Sequence, residues 1–235
     1  MIKNIKNSTY PMLAHAPGKI EYLPMWNIVQ ELAFTFPCQS TSPQDLSIVT
    51  FNNGASRNGK VAGTFERSIE LSGLNCDVLG KDVFNWKNKF RIGMLKKYIE
   101  NTSKQYFLVA DSLDVVLVNK INLIIEKFLQ LDCKVLFNAE KIIWPKDTPH
   151  KVIDFEKNKH DGWFLNAGLW MGEKECVLDL LEFCSKLNLN SNSDQILYKF
   201  AYLEKDYIKV DINSFIFQGL NRVDDKEIEI FKQMI

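Results

Sequence analysis

From Leu46 onward the chain alternates between two textures. Short runs of β-branched and aromatic residues, each of strand length, are separated by stretches whose apolar residues recur at helical spacing. This alternation restricts the chain to an α/β fold, a parallel-rich sheet with helices on both faces. Leu46 to Phe51, Cys76 to Gly80, Tyr106 to Ala110, Lys134 to Asn138 and Tyr207 to Ile212 read as strands, and Val115 to Val118 continues apolar after the third of them. Val61 to Ser72, Phe90 to Ile99, Ile121 to Leu131, Glu173 to Leu187 and Asp194 to Leu203 read as helices. In the fourth of these, Val177, Leu178, Leu180, Leu181 and Cys184 fall on one helical face. Ligands of such sheets bind outside the carboxyl ends of the strands.

The flanks read differently. Residues 1–44 lack a clean period and contain Pro11, Pro17, Pro24, Pro37 and Pro43, with room for one short helix from Met25 to Phe36. They are expected to be an extension packed on a main domain at 45–235. Glu140 to Asp161 reads as a long polar loop that carries His150 and His160, and Asp224 to Ile235 as an exposed helix. No internal repeat is visible.

Composition removes several function classes. With 46% hydrophobic residues the 235-residue chain can build a core. Lys+Arg and Asp+Glu are both 29, so no basic excess invites nucleic acid. No apolar run reaches the roughly 20 residues that span a bilayer, and no apolar h-region follows the N-terminal lysines, so no signal peptide is expected. Cys38, Cys76, Cys133, Cys176 and Cys184 are odd in number and lack metal-site spacing, which points to a reducing, cytoplasmic setting.

The chemistry concentrates at Asp111-Ser112-Leu113-Asp114, directly after the strand Tyr106–Ala110. Two carboxylates three apart at a strand end can face one point in solvent. Hard oxygen ligands of this kind suit Mn²⁺ or Mg²⁺, with diphosphate oxygens and water completing the shell. A turn aspartate beside a solvated charge would leave the same trace in the sequence.

Four blocks, in order and at matching spacing, resemble the glycosyltransferase domain of the procollagen lysyl hydroxylases. Asp111-Ser112-Leu113-Asp114-Val115 is similar to that family's Asp-Ser-Tyr-Asp-Val metal motif. Phe137-Asn138-Ala139-Glu140 through Ile143-Trp144-Pro145 is similar to its Phe-Ser-Ala-Glu and Cys-Trp-Pro block. Phe164-Leu165-Asn166-Ala167-Gly168 is similar to its Leu-Asn-Ser-Gly-Gly block, and Ser193-Asp194-Gln195-Ile196-Leu197-Tyr198 to its Asp-Asp-Gln-Leu-Phe-Tyr block. Asp211, Ile216-Phe217-Gln218 and Leu220-Asn221 extend the resemblance, which covers roughly residues 46 to 225.

The resemblance implies a GT-A-type (Rossmann-like) fold, mixed but mostly parallel, that moves a hexose from a UDP-sugar to an acceptor hydroxyl with a divalent ion. It implies metal ligation by Asp111 and Asp114. Thr50, Asp111, Ser112, Trp144, Asn166 and Gly168 would line the nucleotide-sugar site, and Asp194 and Gln195 would be the catalytic pair. Three departures stand out. Leu113 replaces the aromatic of the metal motif, a single acid remains before Gln195, and no histidine follows His160, although the family supplies a late histidine ligand and then a Gly-rich phosphate loop. Two other readings stay open. One is a nucleotidyltransferase, whose Gly-rich basic loop Asn52 to Lys60 imitates with Gly54, Arg57, Gly59 and Lys60. The other is a sugar-nucleotide-binding domain without turnover. Asn166 and Gly168 are read as preceding a helix, where a tight turn would explain the glycine. Trp163 and Trp170 are read mainly as packing residues, and Lys89 and Arg91 as helix-surface or phosphate-contacting cations.

Overall fold

The structure, a computed structural model, describes residues 2–18, 23–56, 60–189, 191–221, 223 and 225–230. The expected turn at Arg57-Asn58-Gly59 lies outside them.

The main sheet has six strands in the order β4-β3-β5-β8-β7-β9. These are β3 (Leu46–Phe51), β4 (Asp77–Leu79), β5 (Tyr106–Asp111), β7 (Val135–Glu140), β8 (Phe164–Glu173) and β9 (Ile208–Asp211). β3 runs parallel to β4 and β5, and β7 parallel to β9; β8 runs antiparallel between β5 and β7. Two-residue periodicity sorts the side chains. Val49, Phe51, Phe107, Val109, Val135 and Phe137 pack under helices α3 (Phe90–Glu100), α6 (Lys174–Lys186) and α7 (Asp194–Glu204). Leu46, Ile48, Leu108, Leu136 and Met171 face α2 (Thr64–Leu71) and α4 (Ile124–Leu129) on the other side. Helices therefore cover both faces, as the alternation requires.

The N-terminal segment does more than lie on this body. β2 (Leu13–His15) pairs parallel with β10 (Phe217–Gly219) and antiparallel with β6 (Val115–Leu117), which makes it the centre of a second sheet. β1 (Ile2–Asn4) pairs with β11 (Ile228–Ile230), and α1 (Leu23–Thr35) buries Trp26 and Val29 against Val116 and Val118.

Three expectations fail here. β11 occupies part of the expected C-terminal helix; Ile228 is buried and Glu229 exposed, a two-residue alternation that suits the edge of β1. The expected polar loop holds helix α5 (His150–His160). Its buried face is Val152 plus Glu156, which is fully buried in an ion pair of 2.7 Å with the equally buried Lys199 of α7. A charge in the core position hides the apolar period by which a helix is read. Finally, Asn166 and Gly168 lie within β8, well before the next helix, and Gly168 does not have the left-handed backbone of a tight turn.

No helix among the described residues is long and apolar enough to cross a membrane.

Candidate active site

The carboxyl end of β5 opens into a cleft of about 540 Å³. Asp111 is the last residue of that strand, and the turn to β6 brings Asp114 to the same opening. Ser112 holds the turn in shape. Its hydroxyl meets both carboxylate oxygens of Glu66 at 2.8 and 2.9 Å and accepts the Gly63 N–H at 2.8 Å. Ser112 borders the cleft but is buried, and its hydrogen bonds go to the fold.

A residue from the far N-terminus completes the acid pair. β2 ends at His15, whose Nε2 lies 3.4 Å from Asp114 Oδ1. One donor atom each from His15, Asp111 and Asp114 falls within 4.8 Å of the others. His15 Nε2 and Asp114 Oδ1 are buried and make no hydrogen bond. On the other side of the ring, Nδ1 lies 3.1 Å from the Asn138 side-chain amide. Asn138 Oδ1 has no partner, so turning this amide over lets it accept Nδ1–H and frees Nε2 as a metal ligand.

Gly168 leaves the room for this convergence. β8 shifts register against β7 after Phe137, and Ala110 pairs with Leu169, which sets Gly168 beside Asp111. A Cβ on Gly168 would sit 2.4 Å from His15 Cε1, 2.8 Å from His15 Nε2 and 2.7 Å from Asp111 Oδ2. The glycine is required by close approach. Buried donors without partners, and a space that a methyl group would fill, fit a divalent cation. One imidazole nitrogen with two carboxylates is a donor set that can hold a divalent cation.

Two cations secure the acids. Lys60 Nζ lies 2.9 Å from Asp114 Oδ2 and also donates to the carbonyls of Ala16 and Gly18. Burial alone would raise the Asp114 carboxyl; His15 and Lys60 outweigh it and hold its pKa down at about 2. Arg91, from the first turn of α3, spans two acids, with Asp111 at 2.7 Å and Asp194 at 3.3 Å. Its guanidinium also lies against the rings of Phe51 and Trp86 at 5.1 and 5.9 Å. Burial opposes the Arg91 charge, but Asp111 and Asp194 overcome this and raise its pKa.

Asp194 begins α7 and borders the cleft. One oxygen accepts the Gln195 N–H at 3.0 Å and the other faces Arg91. Burial raises its pKa; Arg91 pulls the other way and Asp111 adds to the rise. Gln195 commits its whole amide: Oε1 accepts the Ala167 N–H at 3.0 Å, while Nε2 donates to Glu140 Oε1 and the Trp144 carbonyl, both at 2.7 Å. It therefore locks β8, β7 and the Trp144 loop together. Asn166 Oδ1 accepts the Gly168 N–H at 2.8 Å and steadies the bend of β8. Trp144 stands at the rim with half its surface exposed.

Thr50 is the expected site residue that does not reach the cleft. It is fully buried and donates its hydroxyl to the Ala110 carbonyl at 2.7 Å, so the wall is made by Phe51 and Asn52. Thr50 shares its face of β3 with Leu46 and Ile48, the face that packs on α2 and α4, whereas the next residue, Phe51, reaches the cleft. Trp170 is in the core, while Trp163 is half-buried beneath Lys141. His160 stacks on Tyr202, away from the acid pair.

Four members of the site were not placed at the acid pair from the sequence. His15 stands in an aperiodic stretch, and Lys60 carried weight only for the nucleotidyltransferase reading. Arg91 was read, with Lys89, as a helix-surface or phosphate-contacting cation. Glu140 was a motif letter; burial raises its pKa to about 7 despite Lys199 and hydrogen bonds from Gln195 and Asn166. A glycine in the middle of an apolar strand, as at Gly168, is the one signal that marks a close approach of this kind.

Residues 44–234 match the PLOD GT domain family. The chain belongs to this family. Among its curated relatives, procollagen-lysine,2-oxoglutarate 5-dioxygenase of Drosophila melanogaster is 26% identical over 177 residues, which are 72% of this chain and 24% of that protein. The multifunctional procollagen lysine hydroxylase and glycosyltransferase LH3 of Homo sapiens is 25% identical over 201 residues, 80% of this chain and 27% of the relative. The chain thus spans about a quarter of the length of these relatives. Among solved structures, glucosyl-3-phosphoglycerate synthase of Mycobacterium tuberculosis aligns with a TM-score of 0.34 and 13% identity, over 91% of this chain and 79% of that one. A likeness at that level carries no functional argument.

His15 precedes the main sheet in sequence, yet β2 lies beside β10 and carries it to the acid pair.

Proposed function

We propose that this PLOD GT domain transfers a hexose from a UDP-sugar to an acceptor hydroxyl in the cleft at the end of β5, using Mn²⁺ or Mg²⁺. The observation that carries this reading is the convergence of His15, Asp111 and Asp114 on one point. The cation, when bound, would offset the charge that builds on the departing diphosphate. His15, Asp111 and Asp114 would hold it, and Lys60 adds a fixed positive charge beside it. Trp144 and Asn166 border the remaining space, where the sugar would lie. Asp194, paired to Arg91, is the group we assign to orient sugar or acceptor, and Gln195 positions Glu140 and the Trp144 loop around it.

The test is hydrolysis of a panel of UDP- and GDP-sugars, with and without Mn²⁺, alongside nucleoside triphosphates mixed with sugar phosphates. Metal-dependent release of UDP supports the reading. Pyrophosphate release from a triphosphate would make the chain a nucleotidyltransferase, and UDP binding without turnover would make it a binding domain. We place the protein in the cytoplasm, in keeping with its five free cysteines. Fractionation that finds it in an oxidising compartment would refute that placement.

A further inference from the structure

Asp114 uses its two oxygens for different purposes. Oδ1 faces His15 Nε2 and has no hydrogen-bond partner, while Oδ2 receives the Lys60 ammonium at 2.9 Å. Lys60 is held where it is: its side chain is 4% exposed, and the carbonyls of Ala16 and Gly18 take further donors. Asp111 is likewise tied at 2.7 Å to Arg91, which Asp194, Phe51 and Trp86 pin from other sides. Asp114 thus arrives with a cation of its own, while Asp111 shares Arg91 with Asp194. The set His15, Asp111, Asp114, Asp194, Lys60 and Arg91 carries a formal charge of −1 with His15 neutral, so a divalent ion gains less net Coulomb attraction from it than from uncompensated acids. A nucleoside diphosphate brings the negative charge that is lacking, as oxygen ligands to the same ion.

We propose that Lys60 is a tethered counter-charge that makes cation uptake conditional on the diphosphate, so that the two bind as a pair. This rests on the reading of the cleft as a nucleotide-sugar site. It differs from an ordinary acid-pair site, in which uncompensated carboxylates take the metal first and the nucleotide later. The coupling is reciprocal: whatever factor UDP adds to Mn²⁺ affinity, Mn²⁺ adds to UDP affinity.

The experiment measures free Mn²⁺ by electron paramagnetic resonance while the ion is titrated into the wild-type protein. Three arms are run: alone, with saturating uridine and with saturating UDP, the last corrected for the Mn²⁺–UDP complex in solution. We expect UDP to tighten Mn²⁺ binding on the order of 100-fold and uridine to leave it unchanged. Calorimetric titration of UDP with and without Mn²⁺ should return the same factor. Lys60→Met should bind Mn²⁺ alone about 10-fold more tightly and lose that much of the coupling, while Lys60→Arg should keep it. Equal Mn²⁺ affinity with and without UDP in the wild type overturns the proposal and, by the same reciprocity, the metal-dependent UDP binding it rests on. Unchanged coupling in a folded Lys60→Met protein overturns the proposal alone and leaves the functional reading standing. A wild type that binds neither Mn²⁺ nor UDP overturns the functional reading, and the proposal with it.

Discussion

His15 Nε2 faces Asp114 Oδ1 at 3.4 Å, with no hydrogen bond at either atom. The two residues belong to β2 and to the turn that leads into β6, and those strands are hydrogen-bonded neighbours. The pairing of β2 with β6 is thus what brings a histidine to the acid pair and makes a candidate three-ligand metal site. Replacing His15 with Ala should weaken Mn²⁺ binding by at least 10- to 100-fold, the loss that removal of a supporting residue already causes at metal centres. Asp114→Ala should abolish metal-dependent UDP binding. Calorimetry with and without Mn²⁺ checks both, and equal UDP affinity in the two conditions for the wild type would count against the site.

Gly168→Ala tests the space itself. The new methyl would press on His15 and Asp111 at 2.4 to 2.8 Å. Overpacking of this kind costs about 1–3 kcal/mol. The expected outcome is a lowered melting temperature together with lost Mn²⁺ binding. A variant that melts and binds like wild type would show that the site has room to spare.

Asp194→Asn tests the carboxylate's charge. Ser193 is the N-cap of α7 and Asp194 lies in the first turn, where an asparagine Oδ1 can still accept the Gln195 N–H, so the fold and UDP binding should persist. Transfer should fall by about 10²- to 10⁴-fold if the carboxylate acts on sugar or acceptor. Transfer near the wild-type rate would remove Asp194 from the catalytic group and leave it as the partner of Arg91.

The buried acids set a pH window for stability. Burial raises the Glu140 pKa from 4.5 to about 7, so between those values the folded state holds more protons than the unfolded one. Stability therefore falls as pH rises through that range, by up to roughly 3 kcal/mol at 1.36 kcal/mol per pK unit. Asp114 acts in the opposite sense: its stabilisation is present above 3.8 and is lost as pH falls toward about 2. Chemical denaturation of wild type and Glu140→Gln from pH 4 to 8 should show the decline in the first protein and a flatter profile in the second. Parallel profiles would show that Glu140 does not titrate in this range.

The Glu156–Lys199 pair predicts a non-additive series. Both side chains are fully buried at 2.7 Å. Lys199→Met strands a buried carboxylate and should cost about 3–5 kcal/mol, whereas Glu156→Leu combined with Lys199→Met should recover most of it. Denaturant midpoints of the three variants decide, and additive losses would contradict the account.

Local pattern was enough for the layered body. Strand-length apolar runs and helix-spaced faces announce β3, β5, β7, α3, α6 and α7, because two-residue and 3.6-residue periods are written in adjacent positions. Asp111 and Asp114 were legible for the same reason: they stand three positions apart across one turn. The rest of the site is assembled across the chain. His15 and Lys60 come from segments with no period, and their roles exist only because β2 settles between β10 and β6 and the Ala16–Gly18 carbonyls meet the lysine. Helix α5 was hidden because its inner face is closed by an ion pair, whose partner is supplied by α7. Local sequence pattern determined the layered α/β body and where the acids stand; tertiary packing decided the second sheet around β2 and which nitrogen and which cations face the acids, since long-range neighbours are set by sheet pairing and leave no local trace.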